Sequence, residues 1–234
     1  MNPRQWILYL LLLSLLVGCG SKHPSPPPGP PWWGTVKNHV SLGEYDKALA
    51  VLQDQTSRVP LPNYAEEALF LEGYLQAHGR FDFRKARQPL QTLVDSQPRH
   101  RLGASALRLL GDCYYLDSLY DPARRQYRAL LELHGKQGQG AYALYQTGNC
   151  WAQQDDPGRA LTSWREAVDQ YPTDPWAVQA QWQVVNVYVS LDDPQMARPE
   201  LEKLSKMSRD PAIAAAIELS LKRLEAASRA GMGK

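Results

Sequence analysis

The sequence predicts an all-α protein: a superhelical solenoid of about five helix-turn-helix repeats, closed by a C-terminal capping helix. Three observations predict it. Ala86, Ala123, Ala160 and Ala197 stand 37 residues apart, and larger residues follow each of them at fixed distances. Apolar residues within each unit recur at spacings of three and four, which puts one apolar stripe on each helix. The 18 prolines are not scattered: six fall in residues 20–31, and several others stand where helices are expected to begin. Self-similarity at such a period means that no unit buries its apolar face alone, so the units must stack.

The chain begins with a segment of another kind. Arg4 is the only charged side chain before Lys22, and Ile7 to Val17 is apolar apart from Tyr9 and Ser14. That run is shorter than the roughly 20 residues a bilayer-spanning helix needs, so it reads as the core of a signal peptide over residues 1–18. Leu16-Val17-Gly18-Cys19 follows it directly. This string resembles the lipobox of bacterial lipoproteins. The resemblance implies cleavage before Cys19 and lipidation of its thiol with diacylglycerol and an acyl chain such as palmitate. Gly20 follows the cysteine where an inner-membrane retention signal would carry Asp. The implied location is therefore the periplasmic face of a bacterial outer membrane, with no cofactor beyond the lipid. Residues 19–31 then hold the lipidated cysteine and a Pro-rich tether. Polyproline II geometry there spans up to about 35 Å.

Residues 32–207 carry the repeats, with expected units at 32–58, 63–98, 102–135, 139–172 and 176–207. Leu90, Tyr127, Trp164 and Leu201 follow the four alanines by four residues, and Leu93, Leu130, Ala167 and Leu204 by seven. Gly111, Gly148 and Val185 precede them by 12, while Gly73 precedes Ala86 by 13, so the second unit carries one extra residue in its turn. Leu69, Leu107, Leu144 and Gln181 lie four residues before those places, and Tyr114, Trp151 and Tyr188 three after. The first unit is shorter in its signature: Trp32, then Gly43, Tyr45, Ala48 and Leu52. Asp121-Pro122, Asp156-Pro157 and Asp193-Pro194 each suggest a capping carboxylate before a proline suited to the first helical turn. Asp210-Pro211 opens the last helix, expected over residues 210–228, with Ile213, Ile217, Leu221 and Leu224 facing the repeats.

The pattern resembles the tetratricopeptide repeat (TPR), whose signature runs from an aromatic or Leu through Leu-Gly and Tyr to Ala, an aromatic and Pro. Leu107, Gly111, Tyr114, Ala123 and Tyr127 follow it closely, as do Leu144, Gly148, Trp151, Ala160, Trp164 and Pro172. The three extra residues per unit lie in the connectors, as in Tyr171 to Trp176. Long connectors are similar to those of periplasmic repeat lipoproteins, of the BamD-like outer-membrane assembly type and the Tol-Pal-associated type.

Function follows by exclusion and by surface. A net charge of +2, falling to about +1 without Arg4, leaves no electrostatic footprint for nucleic acid. A mean hydropathy of −0.46 excludes several membrane spans, so membrane attachment is by the lipid alone. His39, His78, His100 and His134 fall in different units, and no metalloprotease, P-loop or nucleophile-elbow motif occurs, so neither a catalytic nor a metal site is expected. Asp155-Asp156 and Asp192-Asp193 recur at one repeat position and read as caps. Cys113 and Cys150 occupy equivalent places on neighbouring first helices. They read as core thiols, with a disulfide left open by the oxidising compartment.

The first helices should line the concave face. Tyr74, Asp112, Asn149 and Asn186 follow the glycine place directly, and Phe70, Arg108, Tyr145 and Trp182 lie one turn earlier on the same face. Tyr115 and Gln153 lie downstream. This is a ladder of amides beside a ladder of aromatics, suited to an extended peptide; packing within the superhelix is the other use of these groups. Peptide-binding members of the family place Asn on this face, but their clamp lysines are absent here and Arg108 alone offers a cation. The expected function is a non-enzymatic, lipid-anchored scaffold binding an envelope protein or peptide. A subunit of an outer-membrane assembly machine and a pilus-secretin pilotin are the alternatives.

Overall fold

The computed structural model describes residues 31–58, 64–191 and 193–231. The leader, Cys19, the tether up to residue 30 and Asp192 lie outside the described residues. Eleven α-helices, and no strand, occur among those described. The first unit pairs α1 (Pro31–Ser41) with α2 (Tyr45–Arg58). The second pairs α3 (Ala65–Tyr74) with α4 (Phe83–Ser96), and the third α5 (Gly103–Leu116) with α6 (Tyr120–His134). The fourth pairs α7 (Gly140–Ala152) with α8 (Pro157–Gln170), and the fifth α9 (Pro175–Ser190) with α10 (Pro194–Met207). The last helix, α11 (Pro211–Gly231), packs on α10. Leu224 is buried there, and Ile213, Ile217 and Leu221 are partly covered by the same apolar cluster.

The repeat signature is a packing device. A Cβ on Gly111 would lie 2.5 Å from the Tyr127 ring, so only glycine lets α5 approach α6 with that ring between them. Gly73 stands in the same relation to Leu90, and Gly148 to Trp164. Tyr127 and Trp164 are correspondingly buried, with the four alanines of the 37-residue period beside them. The second unit's extra residue is absorbed by a π-helical turn, Leu75–Gly79, which continues α3. A single insertion into an α-helix takes this form because one carbonyl skips to the fifth residue on.

Units are joined by a second repeated contact. Arg87 of α4 lies over the Tyr114 ring of α5 at 5.1 Å, and Arg124 of α6 lies over Trp151 of α7 at 3.5 Å. The two arginines, like the two rings, are 37 residues apart. A guanidinium on an aromatic face adds electrostatic attraction to the burial of its stem.

The first four turns between paired helices share one backbone shape. Gly43, Phe81, Ser118 and Asp155 all have positive φ, at 73°, 53°, 62° and 58°. The capping residue follows directly. Asp82 accepts from the Lys85 amide at 3.0 Å, Asp156 from Arg159 at 3.0 Å, and Asp193 from Gln195 and Met196 at 3.1 Å. The expectation for Asp121 is corrected: Leu119 holds the cap position of α6 and makes no side-chain capping bond. Asp121 lies two residues further on, inside the first turn, where it pairs with Arg124. The Asp-Pro string there is displaced from the register of the other two.

Cys113 and Cys150 are both buried free thiols. Burial pushes the Cys150 thiol up to about 12 and Cys113 further still. Both therefore stay protonated and unreactive.

Candidate peptide-binding groove

First helices meet most closely between the fourth and fifth units. Packing brings α7 directly against α9, while α8 and α10 are bridged by long side chains, Arg165 to Glu200 and Lys203 to Asp169. That asymmetry places α7 and α9 on the inner side of the curve, the side that carries the ladder residues.

At the centre of this face the ladder side chains bind one another. The Trp164 indole N–H donates to Asn149 Oδ1 at 3.2 Å and to the Tyr145 carbonyl at 3.1 Å. Asn149 Nδ2 donates to Gln146 Oε1 at 2.7 Å, and Gln146 Nε2 to the Tyr142 hydroxyl at 3.0 Å. The hydroxyls of Tyr142 and Tyr127 both donate to Asp112 Oδ1, Tyr127 at 2.8 Å. One connected run of hydrogen bonds thus crosses from α8 through α7 to α5 and α6. Arg108 lies over the Tyr142 ring at 3.8 Å and 5.5 Å from the Trp176 ring, and Trp176 in turn packs on Tyr142 and Tyr145.

The electrostatics follow from burial. Desolvation raises the Asp112 pKa above the ordinary carboxylate value, and the Arg108 charge with the Tyr142, Tyr127 and Gln146 hydrogen bonds only partly opposes it. Burial works against the Arg108 cation, but Tyr142 and Asp112 more than compensate and hold its pKa above the usual value. Desolvation also pushes the Tyr115 hydroxyl well up and, more modestly, that of Tyr74. Among the described residues no group of three or more His, Cys, Asp or Glu converges as metal ligands. No described helix is long and apolar enough to cross a membrane.

The structure therefore divides the ten groove residues by sequence position. Arg108, Asp112, Tyr145 and Asn149 are brought together, with Asp112 and Asn149 satisfied internally. Phe70 and Tyr74 stack at 6.4 Å further along α3, and Tyr74 contacts His78 at 4.4 Å. Tyr115 leans on Tyr120 at 5.6 Å. Trp182 and Asn186 sit partly exposed on α9, and Gln153 is exposed just after α7. Among the described residues, Asn186 and Gln153 make no side-chain hydrogen bond. Tyr142, Gln146 and Trp176 belong to the site and were missed by the repeat alignment. Tyr142 lies one turn before Tyr145 and Gln146, so helical spacing alone would have found it; Trp176 reaches in from the first turn of α9.

Residues 117–175 match the family model TPR_16, a tetratricopeptide repeat. Among solved structures, MamA (41-end) from Desulfovibrio magneticus RS-1 superposes with a TM-score of 0.60 at 17% identity, over 76% of this chain and 93% of that one. The fold is that of tetratricopeptide repeats. YrrB, described as a TPR protein with an unusual peptide-binding site, superposes on the same fold with a TM-score of 0.57 at 17% identity, over 80% of this chain and 90% of that one. No curated protein matches the chain. In TPR terms, α3, α5, α7 and α9 are first helices, and the hydrogen-bonded run joins units three and four across the inner face.

Proposed function

We propose that the protein is a non-enzymatic scaffold, held by a lipid on Cys19 to the periplasmic face of a bacterial outer membrane, which binds an extended segment of another envelope protein. The observation that carries the binding reading is the division of the inner face. Units three and four spend their polar groups on each other, whereas α9 offers Trp182 beside the unpaired amide of Asn186, with Gln153 exposed at the end of α7. A partly exposed aromatic beside a free amide supplies contact area and a paired donor and acceptor for a peptide backbone. A neighbour in fold, YrrB, is described as having a peptide-binding site. The location rests on the lipobox at Leu16 to Cys19 and on the Pro-rich tether.

The test is affinity purification of the full chain from detergent-solubilised envelopes, wild type against Trp182→Ala with Asn186→Ala. An envelope protein recovered by wild type and lost by the double variant supports the groove; equal recovery by both overturns it. Asn149→Ala is unsuitable as a groove probe, because it would strip a hydrogen-bond acceptor from buried Trp164. Cys19→Ala should release the protein from the membrane fraction, and retention with unchanged mobility would overturn the anchor.

A further inference from the structure

Between the first and second units, α2 and α4 stand apart over α3 and leave a cleft of about 320 Å³. Its floor is the Leu69, Glu72 and Gln76 face of α3 and the turn that continues it, and one wall is the Lys85, Gln88 and Thr92 face of α4. Gln53 of α2 closes the other side.

This cleft is rich in acceptors. Gln76 is only 6% exposed, yet its side-chain oxygen accepts no hydrogen bond from the protein. Pro89 lies inside α4 and has no N–H, so the Lys85 carbonyl loses its donor four residues on. Glu72 forms no ion pair among the described residues. The wall's one cation, Lys85, is already held by Asp82 at 3.2 Å. Leu69 and Pro89 supply apolar surface between these polar groups. A carboxylate, a buried amide oxygen and a freed carbonyl on two helices call for a cation with several donors spread in a plane. A guanidinium has five N–H donors and no acceptor, and its alkyl stem suits an apolar wall.

We infer that this cleft receives an arginine side chain of a partner protein, at a site separate from the inner groove. The test uses the full chain and capped arginine (N-acetyl-arginine amide) as the probe, followed by backbone amide shifts in NMR. Capped arginine should give saturable shifts in α3 and α4, with none from capped citrulline, its uncharged isostere. Glu72→Gln should weaken binding by about tenfold or more, as loss of a charge-assisted bond does. Gln88→Leu, at an exposed wall position, should weaken it too, while Trp182→Ala with Asn186→Ala leaves it unchanged. No saturable shift, equal response to citrulline, equal affinity for capped lysine, or indifference to both cleft variants would each overturn the assignment.

Discussion

The joint between the third and fourth units and the joint between the first and second are made from the same repeat, yet they close differently. Beside the α6–α7 joint the buried His134 ring contacts Gln137 Oε1 at 3.1 Å, and it reaches back to the Pro98 carbonyl ahead of α5 at 3.0 Å. Gly140 there has no room for a Cβ because the Tyr171 ring of the next connector fills the space. Arg124 stacks on Trp151, and the hydrogen-bonded run from Trp164 to Asp112 crosses the inner face. At the α2–α3 joint Leu49 and Leu52 share a buried cluster with Leu75, and Tyr45 leaves Gly79 no room for a Cβ, but a polar cleft opens beside them and α3 itself carries the π-helical insertion. A solenoid's stability is approximately a sum of unit and interface terms, so interfaces of unequal quality make units of unequal persistence. The middle of this molecule is the more densely bonded block, and the first unit is a leaf set against it.

The largest expected effect comes from breaking the block. Trp164→Ala removes a buried indole that also donates to Asn149 and Tyr145, and should cost about 3–5 kcal/mol in urea unfolding. A loss below about 1 kcal/mol would show that the two middle units do not lean on this side chain. Leu52→Ala should cost about 2–3 kcal/mol, with a different distribution. Native-state hydrogen exchange should speed up in α1 and α2 while α5 to α8 stay protected; uniform loss of protection would abolish the distinction between leaf and block.

Asp112 sharpens the same comparison through pH. Its folded pKa lies above its unfolded one, so between the two values the native state holds a proton that the unfolded chain has lost. The stability it contributes is therefore present at low pH and lost as pH rises through the folded value. Asp112→Asn keeps an acceptor for the tyrosines without the buried charge. Its Tm should gain on that of wild type as pH rises from about 5 to about 8, with the difference widening as pH rises. A constant difference across that range would show that Asp112 is not the group responsible. The smallest effect is a gain. Leu119 is 42% exposed and holds the cap position that Asp82, Asp156 and Asp193 fill elsewhere. Leu119→Asp should therefore stabilise α6 by about 0.5–1 kcal/mol, and thermal unfolding will show whether the cap register is right.

Most of the fold was legible because it is periodic. Ala86 to Ala197 and the glycine–aromatic pairs need only local geometry, and the second unit's extra residue was visible as a spacing of 13 before its place in a π-helical turn was known. Asp121-Pro122 misled because the dipeptide looked right while its register was off by two; the 37-residue count pointed to Leu119. The inner face was legible as a set of positions and not as a set of partners. That Asn149 is bound by Trp164 depends on a ring crossing between paired helices. That Arg108 lies against Trp176 depends on the curvature of the stack, which no single unit encodes.

The left-handed turn at Gly43, Phe81, Ser118 and Asp155 has a further consequence. Only the first of the four is glycine, and the left-handed conformation costs an ordinary L-residue about 1–2 kcal/mol. The repeat imposes the bend whatever residue occupies it, so three units carry a load that glycine would relieve. Phe81, which is 60% exposed, gains little burial in return. The chain thus keeps stability in reserve along its turn edge. The shape of the turn is held by the helices on either side, so glycine at Phe81 would keep the bend and remove that cost.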